Sequence, residues 1–144
     1  MATAIPAWLI WAVLSATFAA LTAIFAKIGI ENIDSDLATF IRTIVILVVL
    51  GAMLGFMRKF QSTASISPRS WLFLALSGLA TGASWLCYFR ALKLGDAARV
   101  APVDKLSVVM VAILSTAFLG EHLTGKGWLG IAMIAAGATL VALQ

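Results

Sequence analysis

Three ionisable residues, Arg42, Asp104 and Lys105, each lie inside an otherwise apolar run of the chain. At the centre of a membrane-spanning helix a charge costs roughly 2.5–3.5 kcal/mol on insertion scales. Such residues are kept where they face a cavity, pair with one another or bind something. Arg42 stands about six residues into its run, roughly 9 Å deep at 1.5 Å per residue. Asp104 and Lys105 enter from the same side at comparable depth, so Arg42 and Asp104 form a candidate ion pair. On an uninterrupted helix Asp104, Val108, Val111 and Ser115 share one face, with Ser107 beside it. Lys105 then points about 100° away. The expectation is therefore Asp104 inward and Lys105 reaching back to the interface. A plainer role, capping and pairing at a membrane boundary, is open to all three.

The neighbours of these residues carry two meanings. Pro102 is unremarkable if its helix begins at Ala101, where a proline suits the first turn. If the helix begins at Ala97, the proline breaks it and frees carbonyls beside Asp104. Trp85, Tyr88 and Arg90 cluster near the end of another run. They fit either an interfacial aromatic belt or a platform beside a solute path. His122 follows Glu121 at a helix end and is expected to be solvated. Cys87 is the single cysteine, so no intrachain disulfide forms. A phosphate loop, a metal-ligand spacing, a nucleophile elbow and a carboxylate pair are all missing from the sequence. No catalytic residue, metal or cofactor is expected, and the chain is not read as an enzyme.

The elements that must position these residues are membrane helices. Of 144 residues 62% are hydrophobic and 11% charged, where a soluble domain has about 25% charged; mean hydropathy is +1.07. Five spans are expected, at about 5–26, 37–57, 70–92, 99–120 and 127–143. The first lacks a basic leader and is too long for a signal core, so it reads as a true span. Asp34 or Ser35 can cap the second helix, and Asp96 the fourth. The segment 61–67 with Pro68 reads as a polar linker. Gly51 with Gly55, and Gly78 with Gly82, form two GxxxG pairs that let another backbone approach.

Alternation of five spans sorts the cations. Calling the amino-terminal face side A, Lys27, Arg90, Lys93 and Arg99 fall on side B, and Arg58, Lys59, Arg69 and Lys126 on side A. That is 4 against 4 once Arg42 and Lys105, within spans, are set aside. Basic residues near span ends set orientation, so a tie predicts insertion both ways and an antiparallel homodimer. The formal charge of +4 is scattered over span ends and predicts no nucleic-acid partner. The expected partners are the lipid bilayer and a second copy.

The run LGEHLTGKGWLGIAMIAAGATLVAL resembles the end of an EamA domain of the drug/metabolite transporter superfamily. There a Gly-Glu closes the fourth helix and a small-residue-rich fifth helix follows. RALKLGDAARVAPVDKLSVVMVAILS is similar to the family's short connection between helices 3 and 4 with a proline after it. The resemblance covers essentially the whole chain. It implies an all-α integral membrane fold of five helices in one domain over residues 1–144, one half of an inverted-repeat ten-helix transporter. Typical members hold two such domains, so it implies a half-transporter that must pair. The reading is an inner-membrane subunit moving a small metabolite or drug-like solute, with helices 1, 3 and 4 lining the path and Arg42 reaching in. The substrate is unknown from the sequence. A lipid-carrier flippase, or an accessory subunit pairing with another chain, is the alternative.

Overall fold

The computed structural model describes residues 6–62 and 66–144. The expected start of the first span, Ile5, and residues 63–65 of the linker lie outside the described residues. All regular structure among the described residues is helical. The helices are α1 (Ala7–Gly29), α2 (Ser35–Phe56), α3 (Pro68–Leu94), α4 (Ala97–Asp104), α5 (Ser107–Leu114) and α6 (Gly125–Ala142). Five stretches are long and apolar enough to cross a membrane, the fourth being Ala97–Leu119, made of α4, α5 and a π-helical turn at Ser115–Leu119. At 23 residues that stretch spans about 34 Å, against a hydrocarbon core of ~30 Å. The chain is a multi-pass membrane protein.

Local chemistry sets the ends. The Asp34 carboxylate accepts from the backbone N–H groups of Asp36 and Leu37 at 2.9 and 3.1 Å, capping α2 two residues before the expected start. Asp36 in the first turn complements the helix dipole. The Asp96 side chain makes no cap bond; its backbone carbonyl accepts from Arg99 and Val100 instead. At the far end of α2, Lys59 N–H bonds Leu54 O and Arg58 N–H bonds Gly55 O. That Schellman closure puts Arg58 at φ 53°, a left-handed position where glycine is usual. Gly120, at φ 68°, ends the fourth span the same way, with Glu121 N–H on Ser115 O.

The helix carrying Pro102 starts at Ala97, so the proline lies inside it. Pro102 has no N–H for the Ala98 carbonyl. Three residues on, the ladder shortens: Leu106 N–H bonds Val103 O, Val108 N–H bonds Lys105 O and Val109 N–H bonds Leu106 O. The span is thus two short helices with a turn at Lys105 and Leu106. The turn falls between Asp104 and the other three residues of the expected face; Val108, Val111 and Ser115 stay together and line one groove.

The chain divides into two compact units, Ala26–Lys93 and the remainder. In the first, the buried residues are Ile30, Ser35, Ala38, Thr39, Phe89 and Leu92, all at the end where α1 stops, α2 starts and α3 stops. Ile30 and Phe89 are 2% exposed and Leu92 0%. In the second, α6 packs along α4 and α5, Ala112 and Ala138 are buried, and the Arg99 guanidinium donates to Ala142 O at 3.2 Å.

Candidate functional site

The buried end of the Ala26–Lys93 unit gathers three of its cations, Lys27, Arg90 and Lys93. Asp36 on α2 meets Arg90 on α3 in a two-pronged pair: Nε to Oδ1 at 3.1 Å and Nη2 to Oδ2 at 2.5 Å. Lys27 Nζ donates to Leu92 O at 2.7 Å, and Lys93 Nζ to Ile33 O. Each of these α3 contacts caps a carbonyl or a carboxylate that the helix ends leave open. Lys27, a cation at a span end, thus donates to a carbonyl of its own unit.

Arg42 is different. Its guanidinium lies 4.2 Å from the centroid of Trp85 and 5.3 Å from that of Phe89. Phe89 in turn takes Tyr88 edge-on, with ring centroids 6.5 Å apart and 64° between planes. Within its own unit, Ala26–Lys93, Arg42 has no carboxylate at ion-pair distance and its side chain makes no hydrogen bond. Six residues separate Asp36 from Arg42 on α2, and five separate Arg90 from Trp85 on α3, as antiparallel helices require. Arg42 therefore sits about 10 Å along α2 from Ser35.

Asp104 takes the Lys105 ammonium at 3.2 Å. Adjacent side chains diverge on a continuous helix, but α4 ends at Asp104 and the turn lets the two converge. Lys105 accordingly does not point away from Asp104. Ser107 opens α5 and is exposed. Ser115 is buried and donates to Ala112 O at 3.3 Å. It lines a groove of about 520 Å³ with Val108, Val111, Glu121 and His122; His122 is exposed, as expected of a solvated helix end. A Cβ placed on Gly51, Gly78 or Gly82 would meet nothing within 4 Å, and on Gly55 only Phe60 at 3.8 Å. The GxxxG faces thus have room for a neighbour.

The sequence reading missed Asp36, Phe89 and Lys93 as members of this cluster. The signal was present: Asp36 and Arg90 both fall on side B, at the start of one span and the end of the next.

A family model for the EamA-like transporter family matches residues 6–143. This chain belongs to the EamA-like transporter family. As an EamA-like protein it is 65% identical over 136 residues to an uncharacterized transporter in the cobO 3′ region of a Sinorhizobium species. That alignment covers 94% of this chain and 96% of the relative. It is 30% identical over 137 residues to the uncharacterized transporter YxxF of Bacillus subtilis strain 168, covering 94% of this chain and 42% of that relative. No solved structure matches it significantly. Family and relatives make this EamA-like chain a membrane transporter.

Proposed function

We propose that this chain moves a small organic solute across the inner membrane as an antiparallel homodimer of two five-span units, each inserted in the opposite sense. The observation that carries this reading is one of length. The alignment fills 94% of this chain but 42% of the Bacillus relative, so that relative has room for two units of this size. The Sinorhizobium relative, filled to 96%, is itself about one unit long. The basic tie of the span ends supports opposite insertion. Two copies related this way would supply the second half that a two-domain member carries in its own sequence.

A reporter fused to the carboxyl terminus tests the reading. Green fluorescent protein matures on the cytoplasmic side and alkaline phosphatase folds on the outer side. Both fusions are expected to give signal from the same chain. Signal from only one would replace the homodimer with a partner chain of fixed, opposite orientation.

A further inference from the structure

Arg42 and Arg90 belong to the same helical hairpin, yet their surroundings are opposite. Arg90 presents its fork to Asp36 and is fully matched. Arg42 lies over the rings of Trp85 and Phe89 and has no hydrogen bond or carboxylate partner among the described residues of its own unit, Ala26–Lys93. A guanidinium is a flat cation with five N–H donors in its plane. Laid over a ring, its face is held by the ring quadrupole while the donors point outward along its edge.

The ordinary alternative for a lone arginine is an escape to the water interface, toward which the side chains of α2 lean. Trp85 lies nine residues before the end of α3, and Phe89 five; Arg42 is closer to Trp85. The two rings hold the guanidinium against that escape, and it is only half buried in its unit. A cation held at that depth by aromatic faces is an electrostatic deficit that an incoming anion would cancel.

We propose that Arg42, seated on Trp85 and Phe89, is the solute-binding group, and that the solute is a small organic carboxylate. Its two oxygens match the two outward donors of the guanidinium edge, as Asp36 matches Arg90 one and a half turns away. This deepens the transporter reading and rests on it. Trp85 and Phe89 are positioning residues: they fix the plane of the fork and do not touch the carboxylate.

The test uses the purified chain in phosphatidylcholine vesicles, so that no anionic headgroup competes. Uptake and equilibrium binding are measured for radiolabelled benzoate and pyruvate, for inorganic phosphate, and for the cations tetraphenylphosphonium and ethidium. Carboxylate uptake is expected, with Arg42→Gln weakening benzoate binding at least tenfold. Arg42→Lys keeps charge but loses the fork, and is expected to fall between. Trp85→Leu is expected to weaken binding several-fold while leaving the maximal rate within about twofold. Gel filtration of each variant confirms a folded protein, and the lysine variant serves where glutamine does not fold. Repeating the assay with phosphatidylglycerol added separates a solute from a lipid: loss of benzoate binding to the lipid would mean the site holds a headgroup and overturn the proposal. Cation uptake without carboxylate uptake would overturn the proposal and leave the transporter reading standing. Carboxylate uptake unchanged in Arg42→Gln would do the same. Failure to bind or move any of these solutes would overturn the proposal, and the reporter fusions would then decide the fate of the dimer reading separately.

Discussion

At the scale of single residues, the chain divides its ionisable groups into those that tie helices together and those that are left unmatched. Asp36 and Arg90 tie. Both side chains are largely exposed, so removing one partner loses the attraction and fork geometry of the pair and not a buried charge, and removing both leaves two neutral amides of similar shape. Asp36→Asn and Arg90→Gln are each expected to lower the melting temperature of the detergent-solubilised protein. The double variant is expected to recover part of the loss, and strict additivity of the two single losses would show that the pair is not coupled. Arg42 was legible as an exception from hydropathy alone, because one charge in an apolar run stands out. What filled its surroundings was not legible. Aromatic rings are ordinary in membrane spans, and nothing in spacing separates a ring that holds a cation from one that faces lipid. Asp36 was passed over for the opposite reason: beside Asp34, at a helix start, a further carboxylate is ordinary.

At the scale of elements, five spans and their approximate limits followed from hydropathy, and the ends moved by a few residues where caps decided them. Pro102 left two starts open, and the helix takes the earlier one, at Ala97. The preceding Gly95 and Asp96 end one helix and cap the next with no room for a longer loop. The break at Lys105 and Leu106 could not be read, because neither residue type interrupts a helix by itself. Pro102→Ala restores an N–H for the Ala98 carbonyl and removes a ring clash, a change worth up to about 3 kcal/mol in a helix interior. The variant is expected to be more stable and to show slower amide exchange at Leu106 and Val108. Unchanged exchange there would assign the break to Lys105 and Leu106 and not to the proline. Transport is expected to fall in the stiffened variant if the turn moves during the cycle.

At the scale of the whole molecule, the isolated chain buries few of its residues, and many large apolar side chains, from Trp8 to Leu143, lie on its surface. Lipid and a second copy are the two apolar media that can cover them. Orientation then turns on a few charges. Arg58 occupies a left-handed position, so an alanine there would add backbone strain to the loss of charge. Arg58→Gly with Lys59→Ala removes the same two cations of side A while suiting the backbone. The reporter fusions are expected to shift toward side B in the cytoplasm; an unaltered ratio would show that something other than basic residues sets orientation.

The side-B cations have a history as well as a position. Lys27, Arg90, Lys93 and Arg99 each donate to an oxygen of their own unit, and none of those bonds exists while the chain is still emerging into the bilayer. Orientation is therefore chosen by bare charges and afterwards locked by folded ones. To turn over later, a chain would have to break all four bonds and carry four cations through hydrocarbon. If the chain inserts both ways, as proposed, the proportion facing each way is then a record of synthesis, fixed at birth and insensitive to whatever membrane the mature protein later inhabits.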